Sequence, residues 1–228
     1  EIGDKNAARV NKMRSSKVRD LFSAAVRPDI ISLSGGMPDV SLLPAASIRK
    51  ATRLALDDAD ERAVALQYGS TPGHVDTRQV VCDLMRDLGV RCKPDDVLLT
   101  SGAQEALDLV AKCFIDPGDI ILAEGPTYLG ALQAFSAYEP DIRCIDFDDD
   151  GMRMDLLEEE LERIGKGNPR LKLCYVIPNF QNPGGVTMAP DRRKRLLELS
   201  HEYGFLVMED DPYGRLRYDG GHMIPLKV

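Results

Sequence analysis

Five short apolar runs punctuate the chain at Val97–Thr100, Ile120–Glu124, Ile142–Asp146, Leu171–Ile177 and Phe205–Glu209. Most are rich in Val, Ile and Leu and do not alternate with polar residues, which is expected of strands buried on both faces of a parallel sheet. Helical stripes fill the intervals. Val81, Leu84, Met85 and Leu88 form one, and Leu107, Val110, Ala111 and Phe114 form a second that ends before Pro117-Gly118. Leu157, Leu161 and Ile164 mark a third, while Leu196, Leu199, Ser200 and Tyr203 mark a fourth that opens after Pro190-Asp191 and stops at Gly204. Strands that hide both faces need helices on both sides, so the pattern predicts a doubly wound α/β domain with a mostly parallel sheet.

The first 45 residues break this rhythm with a basic helical stretch, Lys12 to Arg27, followed by the loop Ser34-Gly35-Gly36-Met37-Pro38. They are expected to form an arm, with residues 46–228 making the large domain. A chain of 228 residues that is 43% hydrophobic and 29% charged has ordinary globular composition. The net charge of -8 argues against a protein that tracks a nucleic-acid backbone, which needs clustered cations. The one basic cluster, Arg192-Arg193-Lys194-Arg195, is expected to be a solvated helix face.

Asp146 to Asp150 is likewise expected to be a solvated turn before the next helix. The five cysteines, Cys82, Cys92, Cys113, Cys144 and Cys174, have no metal-type spacing and read as reduced core thiols, and His74, His201 and His222 have none either. No metal site is expected. With no signal peptide and no run of 18 apolar residues, the chain is expected to be cytoplasmic and not membrane-spanning.

Three loops follow strands and carry chemistry. Thr100-Ser101-Gly102-Ala103-Gln104 hands a strand over to a helix, where unpaired backbone N–H groups and the helix dipole favour an anion such as phosphate. Ser101 adds a hydroxyl, and Gly102 lets the backbone come close. Asn182-Pro183-Gly184-Gly185 fixes a tight turn that can present the Asn182 amide to an oxygen. Glu209-Asp210-Asp211-Pro212-Tyr213 brings carboxylates and a phenol to the carboxyl end of a strand, where open α/β sheets bind ligands. Each loop taken alone is equally an ordinary cap or turn.

In order and spacing, Gly36-Met37-Pro38, Tyr68-Gly69-Ser70-Thr71-Pro72-Gly73, Ser101-Gly102-Ala103-Gln104, Tyr128, Asn182-Pro183-Gly184 and Asp210-Asp211-Pro212-Tyr213 resemble the fold-type I pyridoxal-phosphate aminotransferases of class I/II. The resemblance runs from about Ile31 to Tyr218 and is nearest to the 2-aminoadipate and aromatic aminotransferase branch, which also includes aminotransferase-like domains of some regulators. It implies the large domain of that fold, incomplete at the C-terminus, and transfer of an amino group between an amino acid and a 2-oxo acid.

For the cofactor, pyridoxal 5'-phosphate, it implies that Ala103 and Gln104 give backbone N–H groups to the phosphate with Ser101 and Gly102 beside them. Tyr128 would stack on the ring, Asn182 and Tyr213 would hold the ring hydroxyl oxygen, and Asp210 would face the ring nitrogen, with Asp211 as the competing carboxylate. Tyr68 would reach the phosphate of a neighbouring subunit, implying a homodimer with shared sites, unless its hydroxyl anchors the Gly69–Gly73 loop. Gly36 would pass close to the substrate carboxylate.

The lysine that bonds the cofactor in this family, and the arginine that grips the substrate carboxylate, are expected beyond Tyr213 and have no counterpart up to Val228. Lys227 follows Ile224-Pro225-Leu226 rather than a Ser-rich segment and is not assigned the role. In the resembled fold, two later strands insert between the first strand and the fourth. The sequence is therefore expected to be the N-terminal part of a longer enzyme, inactive alone, or to be completed by a second chain. A lyase of the same fold, or the ligand-sensing domain of a transcriptional regulator, would share these residues.

Overall fold

The computed structural model describes residues 5–11, 31 and 38–227, so the basic stretch Lys12 to Arg27 and the residue Gly36 lie outside the described residues. Contacts divide the chain into two units, one drawn from Ser15–His74 and the other from Glu1–Arg14 together with Val75–Val228. The boundary expected after residue 45 falls inside the smaller unit.

That smaller unit contains α1 (Ala45–Asp57) and α2 (Ala59–Ala65). Asp58 separates them and caps α2, its carboxylate accepting the N–H groups of Asp60 at 2.9 Å and Glu61 at 3.0 Å. The following loop closes on itself, because Ser70 Oγ donates to the Gly73 carbonyl and the Gly73 N–H to the Ser70 carbonyl.

The larger unit holds α3 (Val75–Asp87), α4 (Ala103–Phe114), α5 (Leu129–Ser136), α6 (Met154–Ile164) and α7 (Pro190–Tyr203). Its strands are β1 (Ile120–Gly125), β2 (Asp141–Asp148), β3 (Gly151–Met152), β4 (Leu171–Val176) and β5 (Leu206–Glu209), in the sheet order β3-β2-β1-β4-β5. All pairings are parallel except the short β2–β3 hairpin. The mostly parallel sheet with flanking helices agrees with the expectation.

Burial explains why β1 and β4 read as continuous apolar runs. Ile120 and Leu122 of β1 join Leu157, Leu161, Leu196 and Leu199 of α6 and α7 in one core. Ile121 and Ala123, the intervening residues, join Leu107 and Ala111 of α4 and Ala131 and Phe135 of α5 in a second core on the other face. β4 shows the same division with one irregularity, a register shift against β1 between Ile120 and Ile121. The shift changes parity, so that Leu171 and Cys174 share a face although they are three positions apart.

Several expectations need correction. Residues 97–100 form no strand, and Leu98 is 54% exposed, because among the described residues they have no neighbouring strand to pair with. β4 is paired on both sides, so inserted strands cannot lie against it, and β5 forms the edge of the sheet on that side. On α3 the buried residues are Arg78 and Cys82, while Leu84 of the expected stripe is exposed. Asp150 is followed by β3 rather than directly by a helix. Cys113 and Cys144 are exposed, leaving Cys82 and Cys174 as the buried thiols.

The basic cluster is only partly a solvated face: Lys194 is exposed, but Arg193 is 6% exposed, and Arg192 pairs with Asp148 at 2.6 Å. This pairing also holds the Asp148 carboxyl below its ordinary range.

Leu161 is fully buried between α6 and the sheet, whereas Leu206 on the edge strand β5 is half exposed. Leu161→Ala is expected to lower unfolding free energy by about 2–5 kcal/mol in a denaturant titration, and Leu206→Ala by clearly less.

Candidate functional site

The carboxyl ends of β1, β4 and β5 lie side by side in the sheet, and the residues that follow them build the site. After β5 the Asp210 N–H donates to the Val176 carbonyl at 2.9 Å, so the main chain stays in register with β4 one residue beyond the strand. One Asp210 carboxylate oxygen accepts the Tyr175 phenol at 2.7 Å. Tyr175 belongs to β4 and is fully buried, with its ring edge-on to Phe135 of α5 at a centroid distance of 5.5 Å. Burial and the neighbouring Asp210 carboxylate both push the Tyr175 hydroxyl's pKa up, so it remains a hydrogen-bond donor.

Asp211 is occupied differently. Its carboxylate accepts Asn179 Nδ2 at 3.0 Å and the Gly214 N–H at 2.9 Å, both contacts internal to the loops. Of the two adjacent carboxylates, Asp211 therefore closes a turn, and Asp210 has an oxygen not engaged by Tyr175.

Asn182 and Tyr213 converge from the loops after β4 and β5, with Asn182 Nδ2 3.5 Å from the Tyr213 hydroxyl. Both are half-buried. An amide N–H and a phenol this close can share one oxygen acceptor between them.

At the start of α4, Gly102 occupies the N-cap with φ of 88°, a left-handed conformation that favours glycine. Ala103 and Gln104 then carry first-turn N–H groups for which an α-helix has no internal acceptor. The Glu105 carboxylate accepts the Ser101 N–H, so an anionic oxygen already sits at this turn. The Gln104 side chain donates to the Gly130 carbonyl at 2.8 Å and joins the start of α4 to the first turn of α5.

Tyr128 is the N-cap residue of α5 and is 37% exposed. Its ring lies over Gly130, where a Cβ would collide with ring carbons and the hydroxyl. Tyr68, in the smaller unit, is 99% exposed, and its loop is closed by Ser70 rather than by the Tyr68 hydroxyl. Gly36 lies outside the described residues.

Polar groups missed by the sequence reading hold these loops. Gln181 is 2% exposed; its Nε2 donates to the Pro126 carbonyl at 2.8 Å and its Oε1 accepts the Gly184 N–H at 2.7 Å. It therefore links the segment before Tyr128 to the turn that carries Asn182. Arg193 of α7 donates to the Pro178 carbonyl at 2.6 Å, the Asn179 side chain at 2.9 Å and the Met188 carbonyl at 2.9 Å. Arg193 lies one turn before Leu196, on the apolar face of its helix, and that position was the available signal.

Glu124, at the end of β1, is 1% exposed and accepts the Ile177 N–H at 2.9 Å. Burial pushes its carboxyl up to about 7, against the opposing hydrogen bonds from Ile177 and Gln181.

With this geometry in view, the comparisons are specific. The family described as aminotransferase class I and II matches residues 28–225, and the chain belongs to it. Aromatic-amino-acid aminotransferase 1 of Thermococcus litoralis is 46% identical over 217 residues, covering 95% of this chain and 52% of that protein. The 2-aminoadipate transaminase of Thermus thermophilus is 40% identical over 94% of this chain and 51% of its own length. The crystal structure of Pyrococcus horikoshii kynurenine aminotransferase superposes with a TM-score of 0.91 at 42% identity, covering 100% of this chain and 56% of that one. The chain thus spans about half the length of the relatives it matches.

Glu124 makes stability depend on pH with a definite sign. Its folded pKa lies above its ordinary value of 4.5, so between the two values the folded state binds more protons than the unfolded state. Stability is then lost as pH rises from about 4.5 to about 7, by about 3 kcal/mol. Urea titrations across this range are expected to show the fall in the native chain and to lose this component in Glu124→Gln.

Proposed function

We propose that this chain forms the cofactor-holding part of a pyridoxal-phosphate enzyme that moves an amino group between an amino acid and a 2-oxo acid. The observation that carries the reading is the convergence of Asn182, Tyr213 and Asp210 after β4 and β5, in the family order of motifs. Amide and phenol donors suit a ring oxygen, and a carboxylate braced by a phenol suits a protonated ring nitrogen.

In this reading the N–H groups of Ala103 and Gln104, with Gly102 and Ser101 beside them, bind the phosphate at the N-terminus of α4. Tyr128 covers one ring face, and Gly130 leaves the room for its side chain. Bound there, the cofactor supplies an electron-withdrawing ring that makes the substrate's carbon more acidic. Asp210 keeps the ring nitrogen protonated, and Tyr175 orients Asp210. Buried Gln181 holds the two loops at a fixed separation and keeps water from the backbone groups behind the ring.

The finer parts of the proposal rest on the family resemblance. The enzyme is cytoplasmic and works as a homodimer in which Tyr68 reaches the phosphate in the neighbouring subunit. Gly36 lies beside the substrate carboxylate. Residues 1–45 serve as the arm and part of a small domain, and 46–228 as the large cofactor-binding domain. Among the described residues no helix is long and apolar enough to cross a membrane. The aromatic, 2-aminoadipate and kynurenine names of the relatives point to large amino acids as the substrate class.

Adding pyridoxal phosphate to the intact protein is expected to give an absorbance band at the violet edge of the visible range. Asp210→Ala should abolish the band. Asp211→Ala should keep it while lowering stability by about 1–3 kcal/mol, because it opens a turn. If Asp211→Ala abolishes the band and Asp210→Ala does not, the assignment of the two carboxylates is reversed. Glutamate should accumulate when the intact enzyme is given an aromatic amino acid and 2-oxoglutarate; consumption of the amino acid without glutamate would mark a lyase instead.

A further inference from the structure

Two of the five cysteines, Cys82 and Cys92, lie on the two arms of a fold-back after α3. After α3 the chain reverses at Leu88 and Gly89, and residues 90–94 return along the helix. Three contacts fix the return. The Val90 N–H donates to the Met85 carbonyl at 2.9 Å, and Arg78 Nη1 donates to the Pro94 carbonyl at 2.6 Å. Arg78 also pairs with Asp95 at 3.5 Å.

Residues 78, 82 and 85 lie on one face of a helix, at the spacing i, i+4, i+7. On the returning segment 90, 92 and 94 are alternate residues, and burial alternates with them: Val90, Cys92 and Pro94 are covered while Arg91 and Lys93 are exposed. Four residues of helix rise about 6 Å and two of extended chain about 6.6 Å, so the two ladders keep step. With position 78 against 94 and 85 against 90, position 82 must meet 92. Cys92 is accordingly among the neighbours that, after burial, raise the Cys82 thiol's pKa.

We propose that Cys82 and Cys92 form an oxidisable pair that closes into a disulfide when the protein meets a hydroperoxide. Cys82 is 1% exposed and Cys92 partly exposed, so Cys92 meets the oxidant first. Its thiolate attacks the peroxide, the O–O bond breaks, and the sulfur is oxidised to sulfenic acid while the peroxide is reduced to water or an alcohol. Cys82 sulfur then bonds to the sulfenic sulfur, the S–O bond breaks, and the hydroxyl leaves as water with the Cys82 proton. Burial keeps Cys82 protonated until this second step. The product pins the return segment to α3, ahead of the turn at Ser101 that opens α4.

The test is a peptide map of the full chain after treatment with one equivalent of hydrogen peroxide and alkylation of remaining thiols. The expected result is a Cys82–Cys92 cross-link about 2 Da lighter than the two separate peptides. Free thiols should fall from five to three and return to five with dithiothreitol. Cys92→Ser and Cys82→Ala should each lack the cross-link, and the native map decides the matter if either variant fails to fold. Cross-links through exposed Cys113 or Cys144 instead, or Cys92 carried on to sulfinic acid while Cys82 is alkylated, would overturn the proposal.

Discussion

Central strands β1 and β4 have no solvent-facing side, and that constraint organises the larger unit. Each must receive helices on both faces, so successive elements leave the sheet, cross a face and return parallel. The crossings place the loops that follow β1, β4 and β5 at one edge of the sheet. Alternate side chains of β1 feed two separate cores, and the register shift in β4 lets that strand do the same without leaving a polar residue inside. Residues as distant in sequence as Pro126 and Gln181, Tyr175 and Asp210, or Asn182 and Tyr213 become neighbours because of this layering.

Polar groups inside the layering then set how rigidly the loops are held. Gln181 answers a carbonyl of one loop and an N–H of its own, while Arg193 gathers carbonyls from Pro178 and Met188. Removing one partner from such a buried set leaves the others unsatisfied, which costs more than the bond itself. The charge of Arg193 is disfavoured by burial and offset by Glu209 and Asp211 nearby, so its cost is shared with the residues that flank Asp210. Stability and site geometry are coupled here through the same few atoms.

Much of this was legible beforehand. Strands β1, β2, β4 and β5 and helices α3, α4, α6 and α7 lie where apolar runs and stripes predict them; double-sided burial explains this for β1 and β4, while β2 and β5 are more exposed. Residues 97–100 have the composition of a strand but lack a neighbour, and composition cannot report a missing partner. α5 carries a short, weakly amphipathic sequence rich in Ala and Gly, and it left no clear period. In the site, loop residues with special backbone needs, Gly102 and the Asn182 turn, were visible from their chemistry. Tyr175, Gln181, Glu124 and Arg193 were not, because their roles depend on hydrogen bonds between segments far apart in sequence.

The main-chain bond from Asp210 to Val176 has a consequence for motion. Although Asp210 lies outside β5, its amide is tied into the sheet, and its carboxylate is tied to a fully buried phenol. The Gly214 N–H, three residues after Asp211, donates to that side chain. In hydrogen exchange the Asp210 amide therefore belongs to the cooperative unit of the core, while the Gly214 amide belongs to a local opening. The loop can breathe around its tip while the carboxylate at its root stays fixed, so thermal disorder in the turn is not passed on to the atom that would meet a ring nitrogen.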